Sequence, residues 1–350
     1  MEQELRSQLF RKLFPQAPRY RLDQMHTAQF TRGWTGWGDA TMFSKEMRDA
    51  LSHGIPWVSF ISSKVLESKK KDTYKALLEL FDGKKIETVL MLNRKNNWTI
   101  CVSSQVGCAM RCGFCATGKM GFTRNMTSDE IVDQYRFWMN FLCEHPKLDQ
   151  KISNIVFMGM GEPLANYENI KSAIHALLKY AVIGETHITV STVGVLSVME
   201  KILEDKDWPR VRLAVSLHSA DPDIRKNIVP TSFEDFLPKL ANWSKRYLKK
   251  FGNRSHHLTY EYVMLAGVND SLVDAKKLAN FVTTTGKIKV NLIPYNFTDS
   301  EFQKTPDEQT QKFLEYLHKH TVIATTRKTM GEDIAAACGQ LIVADKKTKK

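Results

Sequence analysis

From about residue 95 onward, short β-rich runs alternate with runs of helical spacing, and this alternation restricts the possible fold more than any other feature of the sequence. It predicts a parallel sheet covered by helices and joined by right-handed crossovers. Six such units predict an α/β barrel of the TIM type, either partial or closed. The predicted strands are Trp98–Ser103, Asn154–Met158, His187–Thr192, Val211–Leu217, Leu258–Met264 and Lys287–Pro294, with a further strand at Val322–Arg327, and the predicted helices are 127–143, 168–181, 194–205, 233–250, 270–285 and 305–320.

The same patterns divide the chain into three predicted parts. Residues 1–92 show mainly helical spacing and form a small N-terminal accessory domain. Residues 93–330 form the barrel, whose first helix begins at a capping box, Thr127-Ser-Asp-Glu130. Residues 331–350 form a C-terminal segment that carries Cys338 and ends in a lysine-rich tail.

Aromatic and basic residues interleave in the N-terminal part, at Arg19-Tyr20-Arg21, Phe30-Thr-Arg32 and Trp34-Thr-Gly-Trp37. If these side chains are exposed, the mixture suits contact with RNA bases and phosphates. The alternative is a helical domain that buries its own tryptophans. The residues alone leave both explanations open.

Charge and hydropathy limit the classes of protein to which this chain can belong. Lysine and arginine number 50 against 38 aspartates and glutamates, a net charge of +12 that favours a polyanionic partner such as nucleic acid, although an ordinary basic protein also fits. No apolar run reaches the length of about 18 residues that a membrane span needs. The N-terminus lacks the layout of a signal peptide, so we expect a cytoplasmic, reducing location in which cysteines are ligands or reactive thiols.

Four of the six cysteines lie within residues 101–115, and three of them have the spacing CxxxCxxC: Cys108, Cys112 and Cys115. Three thiolates from one short loop can bind an iron–sulfur cluster and leave one iron open for chemistry. The alternatives are a zinc site completed by a histidine and three unrelated buried cysteines. The position of the loop directly after a predicted strand makes unrelated cysteines the weakest of the three explanations.

Polar residues recur at the carboxyl ends of the other predicted strands, where the loops of an α/β barrel converge on the active site. They are Gly161 and Glu162 after the second strand, Ser191 at the end of the third, Ser216-Leu217-His218 at the end of the fourth and Asn296 after the sixth. We therefore expect these segments to share one pocket with the cysteine loop. Taken alone, His218 is as readily a structural histidine.

The cysteine spacing after the first barrel strand resembles the signature of the radical S-adenosylmethionine enzymes, and Gly161-Glu162-Pro163 resembles their second motif. The resemblance implies a [4Fe-4S] cluster whose open iron is chelated by S-adenosylmethionine. One electron from the reduced cluster then cleaves a carbon–sulfur bond and gives a 5′-deoxyadenosyl radical. The implied fold is a partial (βα)6 barrel.

A narrower resemblance extends over nearly the whole chain. The motifs are similar to those of the RNA adenine C2 methyltransferases of the RlmN family: Tyr20-Arg-Leu-Asp-Gln24, Cys101-Val-Ser-Ser-Gln-Val-Gly-Cys108, Gly121-Phe-Thr-Arg-Asn125, Met158-Gly-Met-Gly-Glu-Pro-Leu164, Ser216-Leu-His218, Gly267-Val-Asn-Asp270 and Ala337-Cys338-Gly-Gln340. The family methylates an adenosine in the peptidyl-transferase region of 23S ribosomal RNA, and the adenosine next to the anticodon in some transfer RNAs. It uses two S-adenosylmethionine molecules per turnover.

This resemblance implies roles for residues whose importance the composition alone does not indicate. Cys338 matches the thiol that is methylated first and then, as a methylene radical, adds to adenine C2. Cys101 matches the thiol that resolves the resulting adduct through a transient disulfide with Cys338. Glu87 matches the proposed acceptor of the C2 proton, although its local sequence fits an exposed glutamate at a strand start equally well. Cys143 matches no functional cysteine, and we expect it in the core.

By the same matching, the S-adenosylmethionine site consists of Gly161, Glu162, Ser191, Ser216, Leu217, His218 and Asn296. The implied partners are RNA and an electron donor such as flavodoxin or ferredoxin, and the implied state is a monomer. Two other functions stay open at this point. One is methylation of adenine C8, as in the related antibiotic-resistance branch, and the other is a zinc-stabilised RNA-binding protein without catalysis.

Overall fold

The computed structural model describes residues 4–93, 95–252 and 258–341, so the lysine-rich tail lies outside the described residues. A mixed sheet of ten strands forms the centre of this part of the chain, and a two-stranded sheet flanks the cysteine loop. Within the same residues, no helix is long and apolar enough to cross a membrane.

Three N-terminal helices form a module with its own hydrophobic core. Phe10 and Trp37 are buried in it, and the Trp37 indole donates a hydrogen bond to the Ile55 carbonyl oxygen at 2.7 Å. The explanation that this module buries a tryptophan of its own is therefore correct for Trp37, whereas Tyr20 is exposed. The helices are α1 (Arg6–Leu13), α2 (Arg19–Gln29) and α3 (Lys45–Gly54).

The prediction of a mainly helical chain up to residue 92 is wrong from residue 60 onward. Three antiparallel strands occupy this region and pair with the first barrel strand, so they extend the central sheet. The second hairpin turns at Asp82-Gly83, where Gly83 has a φ of +75°. Lysines and glutamates within these strands interrupt the alternation of apolar and polar residues by which strands are normally recognised. The strands are β1 (Phe60–Glu67), β2 (Thr73–Leu80) and β3 (Lys85–Leu92).

The predicted barrel strands are all present, in the predicted order and with ends shifted by up to two residues. They are parallel to one another. The remaining strands are β4 (Trp98–Cys101), β5 (Gln105–Gly107), β6 (Phe122–Asn125), β7 (Ile152–Phe157), β8 (Ile188–Thr192), β9 (Arg212–Ser216), β10 (Leu258–Met264), β11 (Lys289–Pro294) and β12 (Ala324–Thr326). The sheet order is β1-β2-β3-β4-β7-β8-β9-β10-β11-β12, so β1 and β12 are open edges and the barrel is partial.

Helices cover the outer face of the sheet, and large side chains such as Trp98, Trp138 and Trp243 fill the layer between them. The capping box at the start of the first barrel helix is present: Glu130 N donates to Thr127 Oγ1 at 3.2 Å, and Thr127 N donates to Glu130 Oε2 at 2.8 Å. The helices are α4 (Ala116–Lys119), α5 (Ser128–Glu144), α6 (Tyr167–Tyr180), α7 (Leu196–Glu204), α8 (Pro222–Ile228), α9 (Phe236–Phe251), α10 (Leu272–Thr285) and α11 (Asp307–Lys319).

Buried charges join the N-terminal module to α5. The Arg6 guanidinium contacts Asp133 Oδ2 at 2.8 Å, and Arg6 N donates to Asp129 Oδ2 at 2.7 Å. The same boundary corrects the expectation for Cys143. This cysteine is half-buried and its sulfur accepts a hydrogen bond from Arg32 Nε of the N-terminal module at 2.9 Å.

Candidate active site

The carboxyl ends of the barrel strands open into one cavity, as the strand-end motifs predict. Most of the expected site residues line it, and they come from loops after five different strands together with the C-terminal segment. They are Cys108, Cys112, Cys115, Gly161, Glu162, Ser191, Ser216, His218, Asn296 and Cys338. Among the residues expected to surround S-adenosylmethionine, Leu217 is the exception, since its side chain is fully buried in the main core and does not line the cavity.

The cysteine loop is held at both ends by backbone hydrogen bonds. Cys108 N donates to the Gly121 carbonyl oxygen at 2.8 Å, and Gly113 N donates to that of Ile228 at 3.0 Å. Gly107, at φ +77°, approaches the neighbouring strand so closely that a Cβ there would lie 1.9 Å from the Gly121 oxygen. The local fold therefore requires a glycine directly before the first ligand candidate.

The three thiols line a common cavity, but no three His, Cys, Asp or Glu side chains within the described ranges surround a single point closely enough to bind one metal ion. In an iron–sulfur cluster each thiolate binds a different iron, so the sulfurs do not have to meet at one point. The arrangement of Cys108, Cys112 and Cys115 therefore fits a cluster bound at three corners.

The turn at Gly161-Glu162 holds two loops together. Gly161 has a φ of +99°, and a Cβ at this position would lie 2.5 Å from the Cβ of Gln105. The Glu162 carboxylate accepts hydrogen bonds from Leu164 N at 2.9 Å and from Val193 N at 2.7 Å, which ties the loop after β7 to the loop after β8. Burial raises the pKa of Glu162 to about 6.

The cavity contains one buried acceptor that protein groups do not satisfy. Glu261 on β10 is buried and lines the cavity, and its Oε1 accepts a hydrogen bond from Asn291 Nδ2 at 2.9 Å. Its Oε2 has no hydrogen-bond donor among the described residues and lies 3.7 Å from Arg327 Nε. A ligand with hydroxyl or ammonium donors, such as S-adenosylmethionine, fits a cavity with such an acceptor.

His218 is a neutral, buried histidine in the left-handed backbone region, at φ +57°. Its Nδ1 accepts a hydrogen bond from Val263 N at 3.1 Å, so the neutral ring carries its proton on Nε2 and presents a donor. Burial, with a smaller effect from Arg225, lowers the pKa of His218 to about 3. Asn269, from the motif Gly267-Val-Asn-Asp270, donates to the His218 carbonyl oxygen at 2.7 Å and fixes this turn.

The lowered pKa of His218 leads to a prediction about how the stability of the folded protein depends on pH. The unfolded chain binds a proton at this position near pH 6.5 and the folded chain does not, so stability is complete above pH 6.5 and is lost as the pH falls toward 3. Between pH 7.5 and 5.5 the loss from this residue is about 1.4 kcal/mol. We expect the free energy of unfolding of His218→Asn, measured with urea at both pH values, to lack this loss, because asparagine tolerates positive φ and does not titrate. An equal loss in both proteins would contradict the prediction.

Arg225 on α8 organises the site, although no sequence motif points to it. Its buried guanidinium donates to the carbonyl oxygens of Leu217 at 3.0 Å, Val193 at 2.7 Å and Ser216 at 3.2 Å, and it lies 3.6 Å above the ring of Phe236. It thereby fixes the ends of β8 and β9. An arginine in a short helical run is ordinarily solvated, so only the fold could reveal this role.

The C-terminal segment docks onto the cysteine loop and delivers Cys338 to the cavity. The Cys338 carbonyl oxygen accepts from Asn296 Nδ2 at 3.1 Å, and that of Gly339 accepts from Ala116 N at 2.8 Å. Gln340 closes the turn by donating to the Phe297 carbonyl oxygen at 3.0 Å. Cys338 is exposed to solvent, which reaches it through the cavity.

A second cavity adjoins the first, and Cys338 lines both. Cys101 lines only the second one, where it is buried and, like Cys338, not in a disulfide. Burial and the neighbouring Cys338 raise the pKa of Cys101 to about 12, while Arg327 has the opposite effect. The two thiols therefore share the second cavity, whereas the three clustered cysteines are confined to the first.

Glu87 lies away from both cavities. It is buried on β3, which rules out the exposed glutamate that its local sequence also allowed, and its carboxylate contacts Lys75 Nζ at 2.9 Å. The role of Glu87 as proton acceptor therefore stays a prediction. Glu87 is on the same sheet face as Cys101, since Cys101 pairs with Val89 two residues along β3.

Comparisons with known proteins agree with this geometry. Residues 102–279 match the family model of the Radical SAM superfamily. The chain is 37% identical to a ribosomal RNA large subunit methyltransferase N of Nitrosopumilus maritimus, over 92% of both chains, and 40% identical to a probable dual-specificity RNA methyltransferase RlmN of a Thermotoga species, over 92% of this chain and 91% of that one. The crystal structure of a radical SAM methyltransferase from Sphaerobacter thermophilus superposes with a TM-score of 0.86, at 35% identity over 95% and 96% of the two chains.

Membership of the Radical SAM superfamily implies two cofactors, a [4Fe-4S] cluster and S-adenosylmethionine, and the cavity fits them. The predicted partial barrel is likewise confirmed. Both relatives cover 92% of this chain, and this chain covers 92% and 91% of them. The chain belongs to the RlmN family of methyltransferases within the Radical SAM superfamily.

Proposed function

We propose that this chain methylates C2 of an adenosine in the peptidyl-transferase region of 23S ribosomal RNA, and of the adenosine next to the anticodon in some transfer RNAs. The observation that carries the proposal is the position of Cys338, which lies between the cavity of the three cysteines and the cavity of Cys101. A thiol there can receive a methyl group on one side and present it to a base on the other. The names of the relatives support ribosomal RNA as a substrate.

In this proposal the residues of the first cavity hold the cofactors. Cys108, Cys112 and Cys115 bind the cluster, while Gly161, Glu162, Ser191, Ser216, His218 and Asn296 surround S-adenosylmethionine. When bound, these cofactors supply hydrogen-atom abstraction, which activates a methyl group for addition to an electron-poor ring carbon. Leu217 contributes through its backbone, because its side chain is in the core.

Three residues act on the methyl group and the base. Cys338 carries the methyl group as S-methylcysteine. Once this methyl group has lost one hydrogen atom, its carbon bonds to adenine C2, and the linked base gives up one electron, for which the bound cluster would be the acceptor. The Glu87 carboxylate accepts the C2 proton. The Cys101 thiol then loses its proton and its sulfur attacks that of Cys338, so that a disulfide forms. The bond between Cys338 and the methylene carbon breaks with its electron pair going to the base, and the methylene carbon takes up a proton to become the C2 methyl group. A duplex base must be flipped out of its stack to reach these groups.

The substrate part of the proposal is tested by methyl transfer. Anaerobically reconstituted protein, S-adenosylmethionine with a labelled methyl group and a chemical reductant are incubated with unmodified 23S ribosomal RNA or transfer RNA. We expect label in both RNAs and, after proteolysis, in S-methylcysteine at residue 338. Label in neither RNA would contradict the function, and label in ribosomal RNA alone would remove transfer RNA from it.

Metal analysis separates the proposal from a zinc-stabilised binding protein. That alternative gives no reason for Cys338 and Cys101 to line one cavity. We expect iron and sulfide in anaerobically purified protein, and a colourless protein with stoichiometric zinc would favour the alternative. We further propose that the protein is a monomer in the cytoplasm and that it accepts electrons from flavodoxin or ferredoxin. Light scattering tests the oligomeric state, and reduction assays test the electron donor.

A further inference from the structure

A row of polar side chains crosses three parallel strands and ends at Glu261 in the first cavity. Glu261 on β10 is paired with Asn291 on β11, and Asn291 is paired with Thr325 on β12. Thr325 Oγ1 donates a hydrogen bond to Asn291 Oδ1 at 3.0 Å, and Asn291 Nδ2 donates one to Glu261 Oε1 at 2.9 Å. The row holds one carboxylate oxygen of Glu261 and thereby fixes the direction of the other.

The other oxygen, Glu261 Oε2, is a buried acceptor that faces the ligand space. Glu261 is 3% exposed and lines the first cavity. Across residues 4–93, 95–252 and 258–341, no group donates a hydrogen bond to Oε2. Arg327 Nε lies 3.7 Å away, beyond hydrogen-bond distance, and Arg327 Nη1 contacts the thioether of Met158 at 3.3 Å. Arg327 therefore offsets the charge of the carboxylate and leaves Oε2 available for a donor from a ligand.

The order of the strands indicates which part of S-adenosylmethionine meets Glu261. The amino and carboxylate groups of the cofactor bind the open iron, so this end lies at the cysteine loop, which follows β4. Glu261 is on β10, which β7, β8 and β9 separate from β4 in the sheet. It therefore faces the nucleoside part of the cofactor, whose donors are the two ribose hydroxyl groups and the adenine amino group.

The position of Cys338 favours the ribose over the adenine. Cys338 lines the same cavity as Glu261, and Arg327, the ion-pair partner of Glu261, lines both cavities together with Cys338. In the proposed function this thiol receives the methyl group of the sulfonium, whose sulfur is bonded to C5′ of the ribose. The adenine amino group is at the far end of the nucleoside from that methyl group.

We propose that Glu261 binds S-adenosylmethionine by accepting a hydrogen bond from a ribose hydroxyl group at Oε2. The inference rests on the proposed function, which makes the first cavity the cofactor site. The Glu261 carbonyl oxygen also accepts from Leu217 N at 3.0 Å and from His218 N at 3.2 Å. A substitution of the side chain leaves these backbone contacts in place, so it tests the carboxylate alone.

The test measures the affinity of anaerobically reconstituted protein, without reductant, for S-adenosylmethionine and its 2′-deoxy and 3′-deoxy analogues by isothermal titration calorimetry. Wild type is expected to bind one of the two analogues roughly tenfold or more weakly than S-adenosylmethionine, because a hydrogen bond to a charged group is lost. In Glu261→Gln the amide oxygen keeps the bond from Asn291, so the amide nitrogen takes the place of Oε2 and removes the acceptor.

Glu261→Gln is therefore expected to bind S-adenosylmethionine about as weakly as wild type binds that analogue, and no longer to distinguish the two ligands. Glu185→Gln is the matched control. Glu185 is exposed and lies just before β8, at the amino end of the sheet and away from the cavity, so this variant keeps the wild-type affinities. Iron and sulfide analysis ensures that the proteins are compared at equal cluster content.

Wild-type affinity in Glu261→Gln would overturn the inference, and so would equal affinity of wild type for all three ligands. A loss in Glu261→Gln that is the same for S-adenosylmethionine and both analogues would also overturn it, because the carboxylate would then act on another group or on the fold. If Glu261→Gln does not retain a cluster, Glu261→Asp is judged by the same criterion, since its shorter side chain withdraws the acceptor and keeps the charge.

The failure of the proposed function has a different signature. Wild type and Glu185→Gln then bind S-adenosylmethionine in preference to a deoxy analogue but form no methyladenosine in RNA.

Discussion

Cys338→Ala is expected to lose RNA methylation by roughly a thousandfold or more, because the variant lacks the thiol that lines both cavities and is proposed to carry the methyl group. The same variant keeps its iron, sulfide and visible absorption, since the three cluster thiols are in a different loop. Methylated nucleosides are measured by mass spectrometry after digestion of the RNA, and cluster content by iron and sulfide analysis.

Cys143→Ala is the matched control for that experiment. Cys143 is a reduced cysteine on α5 that lines neither cavity, so its removal tests the effect of losing any thiol. We expect wild-type methylation from it. If Cys338→Ala also methylated RNA at the wild-type rate, the S-methylcysteine intermediate would have to be abandoned.

Cys101→Ala is expected to trap the enzyme on its substrate. Cys101 shares the second cavity with Cys338 and is therefore the candidate to break the bond between Cys338 and the base. Without it the covalent adduct accumulates close to stoichiometrically, and multiple turnover falls by roughly a hundredfold or more. A denaturing gel with end-labelled RNA measures the adduct as a slow band that protease or ribonuclease removes.

The double variant Cys101→Ala/Cys338→Ala provides the control for the adduct. It lacks the sulfur that forms the link, so it should show no slow band although RNA binding persists. Normal turnover by Cys101→Ala, with no retained RNA, would show that another group or solvent resolves the adduct.

The barrel could be predicted from sequence because buried parallel strands produce apolar runs that the helical segments separate. Leu258–Met264 begins and ends where the pattern places it. The strands of residues 60–92 could not be recognised in the same way. Lys75 and Glu87 neutralise each other inside the sheet, and the pattern of single residues does not show that two charges are partners.

The same distinction applies to the residues of the site, since some of them have a recognisable sequence pattern and others do not. Cys108, Cys112 and Cys115 have a spacing that identifies them as ligand candidates, and the structure places all three at one cavity. Arg225 acts through hydrogen bonds to backbone carbonyl groups of neighbouring and distant loops. Such contacts depend on where the loops meet in space and leave no local pattern in the chain.

The most direct test of the account is the identity of the methylated nucleoside. The reconstituted enzyme is incubated with an unmodified fragment of 23S ribosomal RNA, and the digested RNA is compared with 2-methyladenosine and 8-methyladenosine standards by liquid chromatography and mass spectrometry. The account predicts 2-methyladenosine as the product. 8-Methyladenosine as the sole product, or no methylated adenosine at all, would contradict it.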